Sequence, residues 1–433
     1  MPILILLLLF SAPLFAQNKP DIIYIMADDM GYADLSCYGQ KHYSTPQMDH
    51  LAGEGVKFMN AYAAAPVCTP TRVAFYTGRY PARAEVGLYE PIAEGKKDSS
   101  VGLPLSVPTI ATILDKAGYN TYLVGKWHLG YTKELSPVQH GFDYFFGFHA
   151  GAMDYISHSN DLYENETAIN KEGYATDLFA DKAIELIQQP HSKPYFLALM
   201  FSAPHWPWQA PGSEPYPKGF QNWTKGGSPQ IYAAIMKNLD DAVGRIVKAV
   251  DESKKANNTV IIFTSDNGGE RYSDNHPYKG GKMELWEGGI REPAFIRWPG
   301  KIKPHSISNQ VVTTMDWTAS IISLAGTKPD INYPLDGENI LPIVMGQEKE
   351  KERTLFWRVY QRKQQKAVRQ GNLKYLNDKD SAEYLFDLRK DPTENRNLAT
   401  KQPQVVQQLK TQMAAWEKQM LKPIPLAARN QKE

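Results

Sequence analysis

The segment Asp21-Ile-Ile-Tyr-Ile-Met26 is apolar at successive positions, has the length of a strand, and runs directly into Ala27-Asp28-Asp29. A strand without polar alternation is covered on both faces, as in a parallel sheet between two helical layers. Acids at the end of such a strand stand where open α/β sheets hold their ligands. The run 260–264 repeats the pattern and leads into Ser265-Asp266-Asn267-Gly268-Gly269. Strand-like runs also occupy 121–124 and 195–200, and helical patterns cover 107–117, 175–188 and 229–252. In the last of these, Ile235, Leu239, Val243, Ile246, Val247 and Val250 form one apolar face. The expected fold is α/β, with a large, mostly parallel or mixed sheet flanked by helices.

Past Ile322 the texture changes. Loop-like stretches at 329–334 and 341–346 precede short runs at 354–360, 366–369, 373–376 and 384–387, and an amphipathic pattern fills 402–421. These predict a smaller domain of antiparallel sheet plus helix. A chain of 433 residues exceeds what one core usually organises. We expect a catalytic domain over 17–345 and a small C-terminal domain over 346–433. Residues 1–16 read as a signal peptide cleaved after Ala16, although a positive n-region is missing. The apolar run is too short to span a bilayer, which takes about 20 residues. A secreted or periplasmic protein without a membrane anchor is expected.

The formal net charge of +1 provides no broad basic field for nucleic acid or an anionic membrane. An anionic substrate must therefore meet locally gathered cations. Asp28, Asp29, Asp266 and Asn267 are hard oxygen donors, a set suited to Ca²⁺ or Mg²⁺ rather than Zn²⁺. The two cysteines, Cys37 and Cys68, would ordinarily suggest one disulfide in an exported protein. The surroundings of Cys68 argue otherwise.

Cys68-Thr-Pro70-Thr-Arg72, extended by Thr77-Gly78-Arg79, resembles the Cys-x-Pro-x-Arg signature of the type I, formylglycine-dependent sulfatases of the alkaline phosphatase superfamily. Gly125-Lys126-Trp127-His128, Ser202-Ala-Pro204-His205 and Gly281-Lys282 through Arg291-Glu-Pro293 resemble further segments of that family. So do Glu383 to Leu388 and Asp391 to Leu398, so the likeness covers almost the whole chain beyond residue 21. The resemblance implies a sulfuric ester hydrolase in which a maturation enzyme oxidises Cys68 to formylglycine. It assigns Asp28, Asp29, Asp266 and Asn267 to one metal ion and favours Ca²⁺ over Mg²⁺. It also carries over Arg72, Lys126, His128, His205 and Lys282 as catalytic residues.

The resemblance further implies roles. Lys126 and Lys282 would neutralise sulfate oxygens, Arg72 would orient the modified residue and the carboxylates, His205 with Lys282 would protonate the departing oxygen, and His128 would deprotonate the second hydroxyl. The expected substrate is a sulfated glycan or a small aryl sulfate. A phosphodiesterase or phosphonate hydrolase of the same superfamily and an inactive glycan-binding relative are the alternatives. His149, Trp206, Trp208 and Trp223 are secondary candidates for substrate contact, while oligomeric state, sugar and sulfate position are not legible.

Overall fold

The computed structural model describes residues 19–93, 98, 100–158, 161–217, 222–361, 363–379 and 382–424. The expected signal peptide, residues 1–16, lies outside them. The strands are β1 (Asp21–Asp28), β2 (Val56–Tyr62), β3 (Asn120–Lys126), β4 (Tyr144–Phe148), β5 (Leu162–Glu164), β6 (Thr167–Ile169), β7 (Tyr195–Pro204), β8 (Thr259–Ser265), β9 (Arg291–Arg297), β10 (Ser306–Ser308) and β11 (Val312–Thr313), followed by β12 (Thr354–Val359), β13 (Gln365–Gln370), β14 (Leu373–Asp378) and β15 (Ala382–Asp387). The helices are α1 (Pro46–Gly53), α2 (Cys68–Thr77), α3 (Ile110–Lys116), α4 (Ala175–Gln188), α5 (Pro229–Asp251), α6 (Glu287–Ile290), α7 (Thr314–Leu324), α8 (Leu341–Val344) and α9 (Pro403–Glu417).

The first eleven strands form one mixed sheet in the order β10-β2-β9-β8-β1-β7-β3-β4-β5-β6, with β11 also paired to β2. Its middle is parallel: β1 pairs with β7 and β8, and β3 with β7 and β4. Every residue of β1 is buried, as its unbroken apolar run requires. Ile23 and Ile25 pack into the core that includes the predicted face of α5, whereas Ile22, Tyr24 and Met26 pack into a second core with Phe75 of α2 and Ile321 of α7. The alternation of a strand's side chains thus serves two cores at once. No helix among the described residues is long and apolar enough to cross a membrane.

The sequence reading missed β2 and β9. They pair antiparallel with each other, and β9 also pairs antiparallel with β8, so the sheet is mixed on that side. In β2 the positions Lys57, Met59 and Asn60 are only half-buried and interrupt the apolar pattern.

β12 to β15 form a separate antiparallel sheet in sequence order, with α9 against it. This sheet is pinned to the first by a buried ion cluster. Lys374 Nζ on β14 lies 2.9 Å from Glu287 Oε1 on α6 and 2.8 Å from Glu394 Oε1, and Glu287 Oε2 meets Arg291 Nη1 at 3.1 Å. The side chains of Lys374 and Glu287 are fully buried. Burial raises the Glu287 carboxyl, but Lys374, Arg291 and Arg369 outweigh it and bring the group down to about 2. Removing the central cation takes the ion-pair partner from Glu394 and one of the two from Glu287 in a low-dielectric interior. We expect Lys374→Ala to lower the unfolding free energy by roughly 3–5 kcal/mol in denaturant titration. Lys410→Ala, which removes an exposed partner of Glu383, should cost no more than about 1 kcal/mol. Equal losses would show that the cluster does not hold the two sheets together.

Candidate active site

Four adjacent parallel strands, in the order β8-β1-β7-β3, end on the same edge of the large sheet. Their carboxyl ends deliver Asp266, Asp28 with Asp29, His205 and Lys126 respectively. Residues more than two hundred positions apart thereby share one crevice, the usual ligand position of an open α/β sheet. Gly125 has φ 103, and a Cβ there would lie 1.9 Å from Met200 O, so the glycine lets β3 bend just ahead of Lys126. Asp29 and His128 also have left-handed backbones, with φ 63 and 59. Such conformations cost about 1–3 kcal/mol each outside glycine and persist where the surroundings over-determine them.

Three carboxylates meet three cations in the crevice. Lys126 Nζ lies 2.5 Å from Asp28 Oδ2, Lys282 Nζ lies 2.6 Å from Asp29 Oδ2, and Arg72 Nη2 lies 3.3 Å from Asp266 Oδ2 and 3.7 Å from Asp28 Oδ2. Arg72 Nη1 also donates to the Lys126 carbonyl at 3.0 Å. The Asp29 backbone N–H donates to Asp266 Oδ1 at 3.1 Å, and Asn267 Nδ2 donates to Asp29 Oδ1 at 2.8 Å. Asp28, Asp29 and Asp266 are at most 3% exposed. Burial raises Asp28, but Lys126, His205 and Arg72 together hold its carboxyl far below the usual range. For Asp266 burial wins, joined by the charge of Asp28, and the carboxyl is pushed well up.

Cys68 opens α2, and Arg72 stands one turn further along the same helical face. Pro70 costs nothing there, because N–H groups in a first turn have no intrahelical acceptor. Gly78, with φ 66, ends the helix in a left-handed cap. Both cysteines are free, so the disulfide that their number alone suggests does not form. Burial pushes the Cys68 thiol up, against the pull of Lys126 and Lys282.

The two histidines hold defined tautomers. His205 Nδ1 lies 2.5 Å from the Trp206 carbonyl, which only accepts, so that nitrogen carries the proton and Nε2 presents a lone pair 3.5 Å from Asp29 Oδ2. Burial, then the charge of Lys282, draws the ring down to about 4. His128 Nε2 lies 3.2 Å from the Ile92 carbonyl, which leaves Nδ1 as a buried acceptor without a partner. Burial, then Lys126, holds this ring well below its ordinary value. Thr69, the neighbour of Cys68, donates to the His128 carbonyl at 3.4 Å.

All ten residues singled out from the sequence therefore lie at this end of the sheet. His149 does not join the charge lattice: its ring packs against Phe145 and Tyr163, and only its carbonyl reaches the His128 N–H, at 3.1 Å. Trp206 lies tilted against His205 with ring centres 4.4 Å apart, Trp208 packs edge to face on Tyr272, and Trp223 packs against Tyr216. Two acids escaped the sequence reading. Glu270 Oε2 lies 3.8 Å from Lys282 Nζ, and Glu292 on β9 is fully buried with both carboxylate oxygens unpartnered. Glu292 sits inside the Arg291-Glu-Pro293 segment, which was a signal for it; Glu270 had none.

The donors suit a hard cation. Asp28 Oδ1 and Asn267 Oδ1 are buried oxygens with no hydrogen-bond partner among the described residues, and burial, then the charge of Asp28, raises Asp266. Ligand atoms of Asp28, Asp29 and His205 fall within 4.8 Å of one another. The oxygens alone, with Asp266 and Asn267, match the preference of Ca²⁺, which needs no imidazole.

A family model described as Sulfatase matches residues 20–327, and one described as N-sulphoglucosamine sulphohydrolase, C-terminal, matches 280–419. The chain is 34% identical over 358 residues to N-acetylgalactosamine-6-sulfatase of Homo sapiens, covering 76% of this chain and 66% of the relative. It is 35% identical over 341 residues to arylsulfatase J of Mus musculus, covering 75% and 55%. The chain thus spans about two thirds or less of these relatives' lengths. Among solved structures, Ps i-CgsB in complex with k-i-k-neocarrahexaose superposes with a TM-score of 0.83 at 28% identity, covering 94% of each chain.

If the oxygen cluster holds Ca²⁺, the ion stabilises the folded chain by mass action, about 2.7 kcal/mol at a hundredfold excess over Kd. We expect added Ca²⁺ to raise the thermal unfolding midpoint and EDTA to lower it, with Asp28→Asn insensitive to both. A wild-type midpoint indifferent to either reagent would contradict the assignment.

Proposed function

The chain belongs to the sulfatase family, and from that premise we propose that it hydrolyses sulfate esters of a carbohydrate, or an aryl sulfate, through a formylglycine formed from Cys68. The observation that carries the reading is the placement of Cys68 at the start of α2, under the influence of Lys126 and Lys282, with Arg72 one turn behind it on the buried acids. A thiol raised by burial is a poor thiolate nucleophile, which favours conversion over direct attack by sulfur. A maturation enzyme would carry out that oxidation.

Residue 68, as a hydrated aldehyde, would attack sulfur with one hydroxyl, whose proton passes to Asp266 or a neighbouring carboxylate, and expel sulfate with the second by re-forming the carbonyl, which water then rehydrates, so that no hydrolysis at sulfur is needed. Asp28, Asp29, Asp266 and Asn267 would hold one Ca²⁺, which supplies positive charge against the sulfate oxygens. Lys126 and Lys282 add fixed cations where negative charge gathers in the transition state. Arg72, fully buried and bonded on both sides, orients the carboxylates and the start of α2. Once protonated at Nε2 from solvent, His205 would give that proton to the departing oxygen, with Lys282 beside it. His128, with Nδ1 free to accept, takes the proton of the second hydroxyl.

We also propose the division at residue 345, since the small sheet begins at Thr354, and export of the chain through its N-terminal segment.

The test uses protein made together with a maturation enzyme, p-nitrophenyl sulfate and bis-p-nitrophenyl phosphate. We expect sulfate release to dominate, Cys68→Ala to lose at least about 10³-fold in kcat/KM, and Lys126→Ala about 10²- to 10³-fold. Preferential turnover of the phosphate diester would favour a phosphodiesterase. An unimpaired Cys68→Ala enzyme would end the proposal.

A further inference from the structure

The cations inside the crevice are already engaged: among the described residues Lys126, Lys282 and Arg72 each meet a carboxylate within 4.0 Å. At the rim, Arg271 is exposed and meets none within that distance among the described residues. It is nevertheless held in place. Its guanidinium carbon lies 5.3 Å from the centre of the Trp208 ring and 6.0 Å from that of Tyr272, and Nη1 donates to the Thr224 carbonyl at 3.3 Å. The two rings meet edge to face at 5.0 Å. Tyr272 is itself fixed, its hydroxyl donating to the carbonyls of Gly226 at 3.1 Å and Gly227 at 3.2 Å.

An exposed arginine usually samples many rotamers, and ordering it on binding costs roughly 0.5–1.5 kcal/mol. Here cation–π contact and one backbone bond already hold the group, and among the described residues most of its five N–H donors meet no protein acceptor. Its position is equally specific. Glu270, the preceding residue, reaches Lys282, the Lys282 N–H donates to Gly269 O at 3.1 Å, and Trp208 is three residues beyond His205. The residues assigned to protonating the departing oxygen and those framing Arg271 thus belong to the same two loops. Arg271 therefore neighbours the groups assigned to the departing oxygen.

We propose that Arg271, oriented by Trp208 and Tyr272, is the anchor of a second anion-binding position that takes a sulfate or carboxylate on the leaving-group side of a glycan substrate. The proposal rests on the sulfatase reading above and narrows it to substrates carrying at least two anionic groups. Stacking leaves the edge of the guanidinium for bidentate contact with either anion.

Binding is measured by calorimetry with the full chain in calcium buffer at fixed low ionic strength, left unmatured so that nothing is hydrolysed. The probes are N-acetylgalactosamine 6-sulfate, with a single anion; a monosulfated chondroitin disaccharide, whose second anion is a carboxylate; and an ι-carrageenan tetrasaccharide, whose further anions are sulfates. We expect wild type to prefer at least one of the two probes that carry more than one anion. Arg271→Ala should weaken that probe about tenfold to a hundredfold and leave the monosaccharide within about twofold, with Arg271→Lys in between. The probe that loses affinity identifies the second anion. Lys237→Ala, which removes the same charge from the far surface of α5, should change nothing. No preference for either multiply charged probe, no binding of any probe, or equal losses in Arg271→Ala and Lys237→Ala would each overturn the proposal. Turnover of p-nitrophenyl sulfate by matured Arg271→Ala, expected within about twofold of wild type, separates this failure from a failure of the sulfatase reading, in which matured wild type would release no sulfate.

Discussion

The site is built on a repulsion. Asp28, Asp29 and Asp266 are brought together by the ends of two neighbouring strands and are almost wholly shielded from water, where like charges interact far more strongly than at a surface. Arg72, Lys126 and Lys282 offset this, each arriving from a different element. Even so, burial and then the charge of Asp28 push Asp266 up, and Asp28 Oδ1 and Asn267 Oδ1 have no hydrogen-bond partner among the described residues. One divalent cation, as proposed, would engage these oxygens and offset the remaining negative charge. The same geometry leaves Cys68 at the start of a buried helix, facing positive charge that an anionic ester would share.

The scaffold explains why this placement is rigid. β1 and β8 have cores on both faces, so neither can shift register without moving apolar side chains out of packed layers. The left-handed turns at Asp29 and His128 sit at the ends of such strands and are held by their surroundings. On the other side, Glu287 and Lys374 tie α6, which follows Lys282 by five residues, to the small sheet. The C-terminal sheet thus buttresses the segment that supplies a site cation.

How much of this could be read from the sequence depends on range. β1, β8 and α5 were legible because two-sided burial leaves a continuous apolar run and one-sided burial leaves a helical stripe. β2 was not, since Lys57 and Asn60 break its run and its antiparallel partner is remote in sequence. Cys68 and Arg72 were legible as a motif, whereas the helix that puts them on one face was masked by Pro70. Lys374 drew no attention within the short run 373–376, yet it is fully buried because two distant acids meet it. Glu270 and Arg271 lie in a loop without periodicity, and their partners Lys282, Trp208 and Thr224 are defined only by the folded chain.

The central claim concerns the chemical identity of residue 68 in active protein. Peptide mass analysis of the segment containing Cys68, taken from enzyme with measured sulfatase turnover, tests it directly. Conversion to formylglycine replaces sulfur by oxygen and removes two hydrogens, and the converted fraction should rise in proportion to specific activity across preparations. Full activity in protein whose residue 68 is an unmodified cysteine, or is disulfide-linked to Cys37, would contradict the account.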